Sequence, residues 1–140
     1  MIRKLQKKDL PQVMQIWLAG NIEAHPFIPK AYWRDHFDAV AAQLPQADVF
    51  VFEKDGKVAG FIGLVDNYVA GLFVEKNSRA QGIGKQLLDQ AKSLHESLKL
   101  HVYEQNERAV EFYKREGFVR FGKDLDRDTN AAEYLMAWQK

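Results

Sequence analysis

Two kinds of hydrophobic pattern succeed one another along the chain, and their order predicts a mixed α/β fold. Four segments carry apolar residues three and four positions apart, the spacing of a helix with one buried face. Seven others are short, rich in β-branched and aromatic residues and bounded by turn-forming residues, which is typical of strands. The predicted helices cover residues 10–19, 32–44, 83–97 and 106–116, and the predicted strands cover residues 2–5, 49–52, 58–65, 68–74, 100–103, 118–125 and 132–138.

Local signals refine the ends of these elements. Asp9 is predicted to cap the first helix, with Gln12 at the third helical position completing a capping box. Gly20 and Asn21 are expected to end or bend that helix. Gly71, inside an otherwise apolar strand, predicts a bulge or a close approach to another backbone.

The order of the elements predicts a single sheet. Three strands in antiparallel connection precede two helical crossovers, so we expect one twisted mixed sheet of about seven strands with about four helices on both faces. With 140 residues, of which 46% are hydrophobic, the chain is expected to form one domain over residues 1–140. It has no cysteine, which excludes disulfides, thiolate metal centres and a cysteine nucleophile.

Charge and hydropathy exclude several classes of partner. The 20 basic and 19 acidic residues give a net charge of +1, whereas binding by phosphate neutralisation needs a basic excess, so no nucleic-acid partner is expected. No signal peptide is visible and no apolar run approaches the ~20 residues of a membrane helix, which predicts a cytoplasmic protein without a membrane partner. No group of His, Asp and Glu has the spacing of metal ligands, so no metal is expected.

A glycine-containing loop lies between a predicted strand and a predicted helix. Residues 79–85 read Arg-Ala-Gln-Gly-Ile-Gly-Lys, and Gly82 and Gly84 let a ligand approach the backbone at a helix N-terminus. The unpaired N–H groups there form an anion site suited to a pyrophosphate. Gln86 excludes the Walker A pattern and Leu87 excludes the dinucleotide fingerprint. Taken alone, the pattern also fits an ordinary loop at the start of a helix.

A second block follows the next predicted strand, with the pattern Asn-x-x-Ala-x-x-Phe-Tyr-x-x-x-Gly-Phe at residues 106–118. With both blocks in this order, the chain resembles the GNAT superfamily of acetyl-CoA-dependent N-acetyltransferases. The likeness covers the whole chain in the order of its elements. The stretch at residues 25–35, which contains His-Pro-Phe-Ile and Tyr-Trp-Arg-Asp, is similar to that of small bacterial members of the YiaC/YjaB type.

The resemblance implies acetyl-CoA as cosubstrate and a fold in which the strands at 68–74 and 100–103 are parallel and splay apart. The pantetheine arm then pairs with the first of these strands, and a bulge near residues 71–72 turns an N–H toward the thioester carbonyl. Asn106 either caps its helix or also binds the coenzyme arm. The cofactor-binding residues implied are Leu72, Phe73, Val74, Arg79, Gln81, Gly82, Ile83, Gly84, Lys85, Asn106, Ala109 and Phe112.

The resemblance also implies catalytic residues. Tyr113 matches the general acid that protonates the departing thiolate, although a core aromatic on an amphipathic helix is the alternative. Related acetyltransferases often carry a glutamate where this chain has His101, which is a candidate base or else a strand histidine bonded to a neighbour. Glu104, His25 and Glu23 are further candidates for the base, and solvent is another.

The expected acceptor is a cationic primary amine, most simply a lysine side chain or the N-terminal amine of a peptide or protein. In this fold, segments 20–32 and 124–131 frame the acceptor mouth, where carboxylates attract an ammonium group and aromatic faces hold it. The expected acceptor-binding residues are Glu23, His25, Phe27, Tyr32 and Asp126. Asp124, Asp126 and Asp128 also suit solvated turn positions.

Two alternatives to this function stay open at this point. One is a non-catalytic module for coenzyme A or protein binding, and the other is an acetyltransferase for small-molecule amines. The protein is expected to be a monomer or a homodimer.

Overall fold

Seven strands and four α-helices make up the computed structural model, which describes residues 1–140. The helices are α1 (Leu10–Ala24), α2 (Lys30–Gln43), α3 (Ile83–Leu94) and α4 (Glu107–Arg115). The strands are β1 (Ile2–Lys4), β2 (Asp48–Lys54), β3 (Lys57–Val65), β4 (Tyr68–Val74), β5 (Ser97–Tyr103), β6 (Val119–Asp126) and β7 (Ala131–Gln139). The predicted mixed α/β class is confirmed. No helix combines the length and hydrophobicity needed to cross a bilayer.

All strands form one sheet in the order β1-β2-β3-β4-β5-β7-β6, and every neighbouring pair is antiparallel except β4 and β5. The parallel pair is joined at one end only, where Tyr68 is in register with Lys99 and the Lys99 amide donates to Asn67 O at 3.1 Å. Beyond that point the two strands separate. The expected splay in the middle of the sheet is confirmed.

Turns and a bulge shape the antiparallel half. Asp55 and Gly56 both have positive φ, 53° and 76°, so they form the tight turn between β2 and β3 that an Asp-Gly pair favours. The register between β3 and β4 shifts after Gly63, which pairs with Gly71, whereas Leu64 pairs with Val69. The extra residue on β4 is therefore Ala70, which confirms a bulge beside Gly71.

The hydrophobic core lies on both faces of the sheet. On one face α3 and α4 cover a cluster that includes Leu87, Leu98 and Met136. On the other face α1 covers a smaller cluster that includes Met14 and Phe61. The sheet therefore has helices on both sides, and the gap between β4 and β5 opens toward both.

The expected end of the first helix at Gly20 and Asn21 is wrong, because α1 continues to Ala24. Asn21 is buried and its side-chain amide donates to Trp17 O at 3.0 Å, which satisfies it within the helix. A Cβ on Gly20 would meet Cδ1 of Phe73 at 2.8 Å. Gly20 thus allows α1 to approach β4 closely and does not stop the helix.

The predicted capping box between Asp9 and Gln12 is also wrong. The Asp9 carboxylate accepts from the Gln6 N–H at 2.7 Å and from two nitrogens of Arg3 at 2.7 and 2.9 Å, so it caps the preceding turn. The Gln12 side chain accepts from the Val58 N–H at 2.9 Å and joins α1 to β3. Longer-range partners outcompete the local pair.

The boundary between α3 and β5 lies earlier than predicted. The helix ends at Leu94 instead of residue 97, because His95 takes an extended backbone with φ −138° and ψ 147°. β5 begins at Ser97, and Leu98 is buried as the first inward residue of the strand. Leu98 fits both a helical spacing from Leu94 and an alternating one with Leu100, which is why the sequence pattern extended the predicted helix to residue 97.

Candidate active site

The separation of β4 and β5 opens a cleft with a volume of about 1120 Å³. The end of α1, the β4 edge, the loop before α3, β5 and α4 all line it. Most of the predicted site residues lie on its walls: Glu23, His25, Leu72, Phe73, Val74, Arg79, Gly82, Ile83, Gly84, Lys85, His101, Asn106, Ala109, Phe112 and Tyr113. Five others lie outside the lining: Phe27, Tyr32, Gln81, Glu104 and Asp126.

The β4 backbone presents unpaired groups to the cleft. The Glu75 amide donates to Ala59 O at 2.7 Å, so in this antiparallel ladder the N–H of Phe73, two residues earlier, also faces β3. The N–H groups of Leu72 and Val74 consequently face the gap, where β5 has moved out of reach. An extended ligand that carries amides can pair with this edge as an added strand.

The loop before α3 is shaped by two residues in the left-handed region, Ala80 with φ 63° and Gly82 with φ 76°. Gly82 occupies the N-cap position and offers no side chain, so the first amides of α3 have no capping partner. Arg79 donates from Nε to Val74 O at 3.3 Å, which fixes its guanidinium at the cleft wall. A free helix N-terminus beside a guanidinium is suited to a diphosphate.

The remaining polar residues of this loop have partners in the protein. Lys85 bridges Asp89 at 3.2 Å and Glu116 at 3.1 Å, and these two carboxylates raise the pKa of its ammonium group. The Gln81 side chain points away from the cleft and accepts from Lys54 Nζ at 2.6 Å. Because its side chain is directed to Lys54, Gln81 offers only its backbone to a ligand on this loop.

Asn106 caps α4 as predicted, because its Oδ1 accepts from the Ala109 N–H at 3.4 Å. Its other side-chain atom, Nδ2, lies 3.3 Å from Nε2 of His25. Since the amide can only donate from Nδ2, His25 accepts at Nε2 and carries its proton on Nδ1. This contact joins the cap of α4 to the segment that follows α1.

Tyr113 lies on the inner face of α4. It combines the position of a core aromatic residue with access to the cleft. Its ring is buried in the core against Phe112 and Phe118. Its side chain nevertheless borders the cleft, and no protein group hydrogen-bonds its hydroxyl. Burial, with a smaller contribution from Tyr68, raises the pKa of this phenol well above its usual value, so it holds its proton at neutral pH.

His101 lies on β5 at the opposite wall, exposed, with Nδ1 2.8 Å from the Tyr68 hydroxyl. The histidine is thus bonded to a neighbour and also open to the cleft. Burial raises the pKa of the Tyr68 hydroxyl, which keeps that group protonated as well. Glu133 on β7 lines the cleft beside this pair.

His25 packs in the wall among aromatic rings instead of facing an acceptor. Ring centroids of Tyr103, Trp33 and Phe27 lie 4.9, 5.3 and 5.7 Å from its own. The residue is only 7% exposed, and burial lowers the pKa of its imidazole to about 4. A base of that strength is poorly suited to take a proton from an amine at neutral pH.

The two segments expected to frame the acceptor mouth do meet, with Tyr103 between them. The Tyr103 hydroxyl donates to Asp126 Oδ2 at 2.7 Å, and its ring contacts Phe27 with a centroid distance of 5.7 Å. Burial and the charges of Asp126, Asp128 and Glu133 raise the pKa of Tyr32, which places that hydroxyl near the same carboxylates.

Two of the predicted carboxylates are held by cations. Glu23 forms an ion pair with Arg79 that joins the end of α1 to the loop before α3, and this arginine lowers the pKa of the glutamate. Glu104 pairs with Lys123 at 3.1 Å outside the cleft, where the lysine lowers its pKa. Glu104 therefore does not line the cleft with His101, His25 and Glu23.

A comparison with known families shows that the acetyltransferase (GNAT) domain matches residues 45–120. The chain belongs to the GNAT family of acetyltransferases. It is 35% identical over 140 residues to the peptidyl-lysine N-acetyltransferase YiaC of Escherichia coli. This alignment covers 99% of this chain and 96% of YiaC. It is 33% identical to the peptidyl-lysine N-acetyltransferase YjaB of the same organism, over 87% of this chain and 84% of YjaB.

Solved structures agree with this assignment. The apo form of YjaB from Escherichia coli, solved in solution, superposes with a TM-score of 0.87 and 28% identity, over 99% of this chain and 96% of that chain. The GNAT fold and the resemblance to YiaC and YjaB are thereby confirmed. The protein is an acyltransferase of a family that uses acetyl-CoA.

Several residues of the GNAT cleft were missed by sequence reasoning. Tyr68 and Tyr103 lie in predicted strands and Trp33 in a predicted helix, and nothing in their spacing indicates that they face a cleft. Glu133 had a usable signal, because it is the one charged residue in the apolar run Ala-Ala-Glu-Tyr-Leu-Met-Ala-Trp at residues 131–138.

Proposed function

We propose that the protein transfers the acetyl group of acetyl-CoA to the side-chain amine of a lysine in a peptide or protein, by direct attack of the amine on the thioester. One observation carries this proposal: the free β4 edge, the uncapped N-terminus of α3 and the Tyr113 hydroxyl converge on the same cleft. The names of YiaC and YjaB, both peptidyl-lysine N-acetyltransferases, support the choice of acceptor.

The coenzyme is bound from one end of the cleft to the other. Its diphosphate lies on the first amides of α3, with Arg79 and Lys85 beside it. Its pantetheine arm pairs with the free N–H groups of Leu72 and Val74, and Phe112 and Ala109 pack against it from α4. The thioester carbonyl meets an N–H turned outward by the bulge, which stabilises the negative charge that develops on that oxygen.

Tyr113 then acts as the general acid. The amine nitrogen forms a bond to the carbonyl carbon, the carbon–sulfur bond breaks, and the departing sulfur takes the phenolic proton. A buried phenol that holds its proton and has no partner in the protein is free to make this hydrogen bond.

His101 is the proposed base on the acceptor side. If its Nδ1–H donates to the oxygen of Tyr68, then Nε2 carries the lone pair and can take a proton from the amine. The Tyr68 hydroxyl can accept from Nδ1–H as well as donate to Nδ1, so the contact is compatible with this tautomer. Proton release to solvent follows readily because His101 is exposed.

The acceptor enters past the rim formed by Phe27, Tyr32, Tyr103 and Asp126. Aromatic faces hold the aliphatic stem of a lysine, while the carboxylates near them attract its ammonium group. The reaction is assigned to the cytoplasm, with no nucleic-acid partner.

An acceptor screen read by thiol release tests this function. Lysine peptides, free amino acids, polyamines and aminoglycosides are compared at a fixed acetyl-CoA concentration, and lysine peptides are expected to give the highest kcat/KM. Tyr113→Phe should then lower kcat about 100-fold or more with nearly unchanged acetyl-CoA affinity by calorimetry. A non-peptide amine as best acceptor, or equal loss of coenzyme binding in the variant, would contradict the proposal.

A further inference from the structure

Glu133 differs from the other carboxylates around the cleft. It is in register with Tyr103 across the antiparallel β5–β7 pair, so both side chains point to the face that carries the acceptor rim. His101 lies two residues before Tyr103 on β5 and points the same way. Glu133 is therefore on the wall behind the rim, next to the proposed base.

The charge of Glu133 has no partner in the protein. The side chain is half-buried, yet it forms no ion pair and no hydrogen bond, whereas Glu23 is held by Arg79 and Asp126 by Tyr103. Half-buried carboxylates are costly without a cation or a donor. Here the open side of the carboxylate faces a cleft that is to receive a cationic substrate.

We propose that Glu133 is the group that binds the ammonium of the acceptor inside the cleft and makes the enzyme select cationic amines. This inference rests on the function proposed above and names the residue that determines its acceptor class. Asp126 of the rim attracts the substrate, but both of its carboxylate oxygens already accept hydrogen bonds from the protein. Glu133 lines the cleft with both carboxylate oxygens free, whereas Asp124, its neighbour across the β6–β7 pair, lies outside the lining.

The position also explains how the amine becomes a nucleophile. An ammonium held by Glu133 lies beside His101, so one N–H proton passes to Nε2 of the imidazole and the nitrogen lone pair becomes free to attack. No other reactant is needed, because the proton later leaves through solvent. Glu133 binds the substrate, and His101 takes the proton.

The surroundings of Glu133 agree with a site for a cation. Tyr68 and His101 face it from β4 and β5, Tyr32 from α2, and Asp124 and Asp126 from β6. Two of these five groups are carboxylates, and none carries a fixed positive charge. Among these groups an ammonium therefore meets a region of negative potential.

The test uses Glu133→Gln, which keeps the shape and removes the charge. Binding of a lysine peptide to the coenzyme A-saturated protein, measured by calorimetry, is expected to weaken about 10-fold or more, as for loss of a hydrogen bond to a charged group. The same peptide with an aminooxy group in place of the ammonium is uncharged at neutral pH and should bind both proteins alike. Glu111→Gln, which removes an exposed carboxylate on α4, is the matched control and should change neither affinity.

Binding and turnover separate the two proposals. If Glu133→Gln and the unchanged protein bind the lysine peptide with equal affinity, the role of Glu133 is overturned. If Glu133→Gln binds the lysine peptide and the aminooxy peptide with equally reduced affinity, the role is overturned too, since the substitution then has a structural effect. Peptide binding that depends on Glu133, together with no thiol release from any amine, would leave this inference standing and count against the proposed function.

Discussion

At the scale of single residues, burial decides what each titratable group in the cleft can do. Tyr113 and His25 are both more than nine-tenths buried, with exposures of 8% and 7%. Burial disfavours the charged form of each, so the phenol keeps its proton and the imidazole stays without a second one. The first therefore keeps the proton that its proposed role as general acid requires, and the second is a neutral ring beside Asn106.

The low pKa of His25 predicts how stability depends on pH. In the unfolded chain this imidazole titrates near 6.5, and in the folded protein near 4. Its contribution is complete above pH 6.5 and is lost progressively as the pH falls toward 4, because only the unfolded state takes up the proton. The total loss corresponds to about 3 kcal/mol of unfolding free energy.

Urea unfolding at a series of pH values measures this effect. His25→Phe keeps an aromatic ring in the cluster and removes the titration, so its stability should change less than that of the unchanged protein between pH 6.5 and 4. Carboxylates titrate equally in both proteins, and the difference between the two curves isolates His25. Parallel curves would contradict the buried, neutral state of this residue.

At the scale of elements, the two glycines of the loop before α3 have different reasons to be there. Gly82 has a φ of 76°, and a Cβ on it would meet no atom, so its need is conformational. Gly84 lies in the first turn of α3. A Cβ on it would be in ordinary van der Waals contact, 3.7 Å from side-chain atoms of Phe112 and Val74. Since the protein itself leaves room for a Cβ at Gly84, a side chain there would be excluded only by a ligand bound over the N-terminus of α3.

This difference predicts opposite results for two alanine substitutions. Gly82→Ala should destabilise the protein by about 1–2 kcal/mol, because it forces a side chain into the left-handed region. Gly84→Ala should leave the melting temperature unchanged or higher, since alanine favours a helix, yet weaken acetyl-CoA binding by calorimetry at least several-fold. Full coenzyme affinity in Gly84→Ala would place the diphosphate away from α3.

The elements also show where prediction from sequence succeeds. Strands and helices follow from local periodicity and the order of connections. The resemblance of the two sequence blocks to the GNAT family implies the splayed pair and locates the coenzyme side of the cleft. The end of α1 was misjudged because the reason for Gly20 is the ring of Phe73, which is distant in sequence. Glu133 and Tyr68 were missed because only the pairing of β5 with β7 and β4 brings them to His101.

At the scale of the whole molecule, the sheet consists of two antiparallel halves joined at one end of β4 and β5. The first half is β1 to β4, and the second is β5, β7 and β6. Past the Tyr68–Lys99 bridge no ladder crosses the gap, so the continuity between the halves depends on the helices packed over it.

Amide hydrogen exchange reports on this gap. The N–H groups of Leu72 and Val74 should exchange quickly in the free protein and slow markedly when coenzyme A is added, because the coenzyme arm replaces their missing partner. The Phe73 N–H, which faces β3, should be protected in both states. Equal changes at all three positions would indicate general stiffening instead of an added strand.

The bulge at Ala70 limits how far along β4 a ligand can pair with the strand. A ligand that pairs with β4 as an extra strand can keep its ladder only up to the irregular residue, where the spacing of amides no longer matches. The bulge therefore acts as a stop that sets how far the ligand slides along the strand. In the binding mode proposed above, the length of chain between diphosphate and thioester is matched to the protein backbone, and a longer or shorter thioester carrier is expected to present its acyl group out of line with Tyr113.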